Sequence, residues 1–322
     1  MNKLTAVSAQ PTLDTTLTLA LAAASQAAYA YYSGGPSVPP QGYTQVAGWT
    51  GWDAILSTGS EEKYGLVFQS QTDSGTFIFA FRGTDSDLDA WEDVHFLTTD
   101  FQPTSGSISP TPRVASGFYG IYDGKGGSMT QSMRQQLFAL LAKYRPTQLY
   151  VTGHSLGAAL SQLFSLDVAI SQPMPALNIN FASPMVGTDS WQSAYQATIP
   201  AANSIRVYNY WDYVPSLPPD AFGYRTVGEG FLTSFYVQGE WFPHELSRHS
   251  IVNLTTVLAN ALPLNPQQWN GTFPDYVEPS WTMLSTPPPT TAPVRWVEKM
   301  REHMAYERAL RHPAPAAELA PA

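Results

Sequence analysis

Ser155 stands in "YVTGHSLGAAL", residues 150–160, between Gly153 and Gly157 and directly after a run of β-branched and aromatic residues. A serine hydroxyl becomes a nucleophile only beside a base that takes its proton and an acid that orients the base. At the top of a parallel sheet such a serine needs a sharp strand-to-helix turn. Side chains two residues to either side would meet neighbouring backbone there, and glycine removes them. In a chain with 23 glycines the G-x-S-x-G pattern alone is weak, and its context carries it. "LYVTG" reads as the strand and "LGAALSQLFSLDVAI" as the helix, whose N-terminus presents free N–H groups to developing negative charge.

Where such a turn bears the nucleophile, the acid and then the base follow along the chain. His244, His249, His303 and His312 lie downstream, and the last two fall beyond a proline-threonine stretch, leaving His244 and His249 as bases. For the acid, Asp212 in "RVYNYWDYVPSLPP" ends an expected strand before a proline-punctuated loop, where catalytic groups of open α/β sheets collect. Asp167 inside the nucleophile helix, Asp189 after a turn and Asp220 among prolines suit bland solvated roles.

Other chemistries are disfavoured by composition. The chain has no cysteine, so disulfides, thiolate metal sites and a cysteine nucleophile are excluded. "HELSRH" spaces His244 and His249 five residues apart, where a helical zinc pair needs four, so no metal and no cofactor are expected. With 16 basic against 25 acidic residues the net charge is −9, which argues against nucleic acid or an anionic surface as partner and favours neutral substrates. No segment reaches the roughly 18 apolar residues of a transmembrane helix. "LTLALAAASQAAYA" (17–30) reads as an alanine-rich helix packed on the core rather than a signal peptide, because Lys3 alone charges its start and Asp14 interrupts the approach. Low lysine with many tryptophans and prolines tilts the compartment, otherwise undetermined, toward export.

The elements that must position Ser155 follow from periodicity. Residues 64–70, 75–81, 148–153, 176–183 and 204–211 read as short buried strands, and 128–144 and 156–170 as amphipathic helices. Strands alternating with helices predict an α/β domain with a mostly parallel central sheet covered by helices on both faces. "GYRTVGEGFLTSFYVQG" (223–239) reads as an appended antiparallel hairpin turning at Gly228 to Gly230. The domain spans residues 1–284, a Pro/Thr linker 285–293, and an amphipathic helix with an Ala/Pro tail 294–322.

Taken together, "GHSLG", "RVYNYWDYVPSLPP" and "FRGT" (81–84) resemble, in order, the marks of the fungal-type or class 3 lipases, a family of the α/β-hydrolase fold. The resemblance implies Ser155 as nucleophile, Asp212 as acid and His249, in "RHSIVNL", as base, with His244 the alternative. It implies an oxyanion hole from Thr84 and Leu156, and a lid over 85–101 with Leu88, Trp91 and Phe96 as its apolar side chains. Departures are Ala115 and Thr226 where the family has histidine, and Asp93 one residue early in the lid.

The resulting expectation is a Ser-His-Asp hydrolase of carboxylic esters in neutral lipids such as triacylglycerol, acting without cofactor on a lipid or ester substrate, with a lipid–water interface as a candidate partner. A phospholipase A1, or an esterase for soluble or aromatic esters, is the rival within the class. A catalytically inactive lipase-like binding protein is the rival outside it.

Overall fold

Residues 11–53, 59–84, 97–209, 212–218, 222–233, 235–238, 248–263, 272–273 and 282–285 are described by a computed structural model. The expected linker beyond Ser285 and the C-terminal helix lie outside these residues, as do the lid positions Leu88, Trp91 and Phe96 and the alternative base His244.

Helix α1 (Thr15–Tyr32) opens the described chain, its first turn capped by the Asp14 carboxylate accepting from Leu17 N–H at 2.7 Å. Small side chains let it lie close on the sheet: Leu21, Ala22, Ala24, Ala27 and Ala28 are all buried. Strands β1 (Tyr43–Asp53), β2 (Ser60–Ser70) and β3 (Thr76–Phe81) follow as an antiparallel run. The short β4 (Thr98–Asp100) and β5 (Arg113–Ala115) then lead into α2 (Ser116–Asp123) and α3 (Met133–Tyr144). Next come β6 (Gln148–Gly153), α4 (Leu156–Ser171), β7 (Ala176–Phe181), β8 (Gly187–Thr188), α5 (Asp189–Thr198) and β9 (Ser204–Asn209). β10 (Tyr224–Arg225), β11 (Glu229–Thr233), β12 (Phe235–Gln238), α6 (Ile251–Ala261), β13 (Thr272–Phe273) and β14 (Thr282–Ser285) complete the order.

The central sheet runs β1-β2-β3-β6-β7-β9-β11, with every pair from β3 onward parallel. This is the α/β-hydrolase type of sheet. Because strand side chains alternate, β3 sends Phe77, Phe79 and Phe81 to one face and Ile78 and Ala80 to the other. Phe79 and Phe81 meet Trp49 and, from α4, Phe164. Ile78 and Ala80 join the opposite cluster, which holds Leu21 and Ala24 of α1 and Leu254 of α6. The helices therefore cover both faces. No helix among the described residues is long and apolar enough to cross a membrane.

Two expectations change. Helix α4 is no surface helix with one apolar stripe: every residue from Leu156 to Val168 is buried. Its polar side chains find partners instead of water. Asn178 donates to Ser161 Oγ at 3.1 Å and Ser165 Oγ at 2.9 Å, while the Asp167 carboxylate accepts from Thr104 N–H, Thr104 Oγ1 and Tyr122 O–H. The hairpin expected at 223–239 is also not formed. β10 pairs antiparallel with β8, β11 pairs parallel with β9, and β12 pairs with β14. At Gly228 (φ +77°) the chain approaches β9 so closely that a Cβ would sit 2.8 Å from the Ser204 carbonyl oxygen. The glycine turn thus lays β11 alongside β9 instead of folding it back on β10.

Candidate active site

Strand β6 ends and helix α4 begins within two residues, and Ser155 takes the turn at φ 60° and ψ −127°. A non-glycine residue with positive φ is strained, a cost of order 1–3 kcal/mol that surrounding structure must offset. The flanking glycines show how tight the turn is. A Cβ on Gly153 would lie 2.3 Å from the Gly157 oxygen, and one on Gly157 would lie 2.5 Å from the oxygens of both Phe81 and Arg82. Ser155 N–H donates to Phe181 O at 3.0 Å, which ties the turn to β7.

From this turn Ser155 Oγ meets His249 Nε2 at 2.7 Å, and His249 Nδ1 meets Asp212 Oδ2 at 2.7 Å. All three are buried, at 2%, 9% and 6% exposure. The carboxylate accepts from Nδ1–H, so Nε2 holds the lone pair that faces the serine proton. Asp212 leaves β9 through a turn closed by its N–H to Asn209 O at 3.1 Å, and its second oxygen accepts from Val214 N–H at 3.0 Å. His249 stands two residues before α6, whose first turn Ser250 caps by accepting from Asn253 N–H. Asn209 Nδ2 donates to Arg248 O at 3.1 Å, joining the loop of the base to the strand of the acid.

Two further side chains had no assigned role in the sequence reading. His154 Nε2 lies 2.6 Å from the His249 carbonyl oxygen, and its Nδ1 lies 2.8 Å from Tyr29 O–H of α1. Burial, and after it the neighbouring His249, hold the His154 imidazole well below its usual pKa, so it is neutral. A carbonyl only accepts, so Nε2 carries the hydrogen and Nδ1 accepts from the tyrosine. His154 thus pins the backbone of the base. Its place inside the glycine motif was the available signal; Tyr29 had none, because only the packing of α1 brings it here.

Thr84 follows β3 at the same end of the sheet, and Leu156 is the first residue of α4, so its N–H is one of the donors a helix start leaves without an intrahelical acceptor. Gly157 seats the start of α4 against the Phe81 and Arg82 carbonyls, three and two residues before Thr84. Among the described residues no group of three or more acidic or histidine side chains could hold a metal ion.

Residues 78–222, a segment that includes Thr84, Ser155 and Asp212, match the family described as lipase (class 3). Over this segment, less than half of its length, the chain is similar to the class 3 lipases. The chain is 31% identical over 207 residues to phospholipase A1-II 3 of Oryza sativa subsp. indica, covering 57% of this chain and 46% of that protein. It is 26% identical over 210 residues to phospholipase A1-IIgamma of Arabidopsis thaliana, covering 59% and 48%. The chain thus spans about half the length of these curated relatives. Among solved structures it resembles Lip2 lipase of Yarrowia lipolytica (TM-score 0.54, 19% identity, 69% and 80% covered). The triacylglyceride lipase of Rhizomucor miehei is similar too (TM-score 0.51, 23% identity, 67% and 78% covered). These structural likenesses concern the fold.

Proposed function

We propose that the chain is a serine hydrolase of carboxylic esters whose preferred substrates are neutral lipids. The observation that carries this reading is the unbroken hydrogen-bond chain from Ser155 through His249 to Asp212, with the serine held on a strained turn. Ser155 Oγ attacks the ester carbonyl carbon as His249 Nε2 takes its proton. The oxygen that gains negative charge is held by the N–H groups of Thr84 and Leu156, each donor worth roughly 3 kcal/mol. Collapse of the tetrahedral intermediate expels the alcohol, which receives the proton from His249. Water then enters by the same route in reverse and frees the acid. Asp212 balances the imidazolium and keeps the imidazole in the working tautomer.

A second reading, phospholipase A1, is favoured by the names of the curated relatives. The net charge of −9 opposes it for anionic phospholipid and is indifferent to glycerides. The decisive experiment offers triglyceride emulsion, phospholipid vesicles and short p-nitrophenyl esters to the wild-type protein and to Ser155→Ala. The wild type should take a fluorophosphonate label and turn over glyceride fastest, and Ser155→Ala should lose the label and about 10⁶-fold in kcat. Faster turnover of neutral phospholipid would select the second reading. No turnover and no label with any substrate would leave a binding protein.

A further inference from the structure

Directly after the apolar run Phe77–Phe81 of β3 the chain places an arginine: Arg82 is 1% exposed. A buried guanidinium is costly unless its donors and charge are matched. Here Nη1 donates to Gly83 O at 2.8 Å and Nε to Lys63 O at 3.1 Å, while Nη2 faces Asp53 Oδ2 at 3.5 Å. The planar group also lies 4.0 Å from the Tyr32 ring centroid and 4.1 Å from that of Tyr64. So many restraints on one side chain fix the group it bonds, the Gly83 carbonyl.

That carbonyl belongs to the same peptide unit as the Thr84 N–H. Cis bonds among the described residues occur at Ser109-Pro110 and Leu217-Pro218, so this peptide is trans, and its C=O and N–H point opposite ways. We propose that Arg82, braced by Asp53, is a positioning residue that aims the Thr84 N–H at the reacting carbonyl oxygen. On its other side Gly83 abuts the nucleophile turn: a Cβ there would lie 2.7 Å from His154 O and 3.0 Å from Ser155 Cβ. Holding the carbonyl toward the guanidinium turns the N–H away from it. Without that hold the peptide can rotate and offer its oxygen, a partial negative charge, to the oxyanion. The inference rests on the ester-hydrolase reading above.

The test compares a p-nitrophenyl ester with its thionoester, in which sulfur replaces the carbonyl oxygen. Sulfur is larger and a weaker acceptor, so preorganised donors reject it. The ratio of the two kcat/KM values reports how well the donors fit and does not depend on how much of the enzyme is folded. In Arg82→Lys and Arg82→Gln, kcat on the oxygen ester should fall about tenfold to a hundredfold with KM little changed, and the oxygen-to-sulfur ratio should fall about tenfold. An unchanged ratio in a folded Arg82 variant overturns the proposal and leaves Arg82 a stabiliser of β3. Should neither variant fold, Asp53→Asn, which removes the charge facing Arg82 Nη2, should lower the ratio several-fold, and an unchanged ratio there overturns it equally. Failure of the underlying reading looks different: the wild type itself would turn over neither ester and take no fluorophosphonate label, and the proposal would fall with it.

Discussion

His154 has a consequence for stability that follows from its depressed pKa. In the unfolded chain the imidazole titrates near 6.5, whereas burial holds it neutral in the native state well below that. Between those two values the unfolded chain binds a proton that the native protein does not. Its contribution to stability is therefore complete above about pH 6.5 and is lost as pH falls, with a slope approaching about 1.4 kcal/mol per pH unit. Urea midpoints measured from pH 7.5 to 5 should decline for the wild type and decline less steeply, by one proton's worth, for His154→Gln. Parallel curves would show that another group sets the slope. At the same scale Asp212→Asn should keep the geometry but favour the wrong tautomer of His249, lowering kcat about 10⁴-fold in steady-state assays on a soluble ester. A merely solvated carboxylate at this position would leave kcat almost unchanged.

At the scale of elements, the turn between β6 and α4 tolerates no added carbon. Gly157→Ala would drive a Cβ to 2.5 Å from two carbonyl oxygens of β3 and its continuation, so helix and strand must part. A loss of about 3 kcal/mol or more is expected by denaturant titration, together with most activity, since the parting displaces the turn that carries Ser155. Ser132→Ala is a contrast. It removes the capping box of α3, in which Ser132 and Gln135 satisfy each other's backbone N–H, and should cost about 1 kcal/mol in the same titration while leaving kcat intact. For the lid proposed over 85–101, Trp91→Ser should weaken turnover of emulsified long-chain triglyceride more than that of a soluble short-chain ester. Equal losses would place Trp91 in a supporting role instead.

The whole molecule carries an excess of negative charge, and that field acts on any charged interface it approaches. Turnover of vesicles rich in anionic phospholipid should rise as salt is increased from 0.01 to 0.15 M, because the Debye length shrinks from about 30 Å to about 8 Å. Turnover of a neutral glyceride emulsion should change little. A fall with salt on anionic vesicles would point to a local basic patch that outweighs the net charge. Packing couples the site to the far end of the chain as well. Helix α1 shares a cluster with α6, and Gln26 donates to Thr255 Oγ1 at 2.8 Å, so the helix that follows the base rests partly on the first helix of the described chain.

The turn at Ser155 was legible in the residues because its constraint is local: a strand, a helix and two missing side chains within five positions. Asp212 was legible for a similar reason, since the end of a strand before a proline-rich loop marks one end of the sheet. The alternation of strands and helices likewise sufficed for a mostly parallel sheet. Other features depended on contacts between segments far apart in the chain. Which imidazole reaches Ser155 is a matter of ångströms across 94 residues, and periodicity has no such resolution. β11 was misread because its glycines signal a tight approach without saying to which strand. The full burial of α4 escaped a stripe reading because its serines and aspartate look solvent-facing until Asn178, Thr104 and Tyr122 arrive to satisfy them. Arg82 and His154 acquire their meaning only from what surrounds them, since a charged or titratable group is defined by partners that tertiary packing alone supplies.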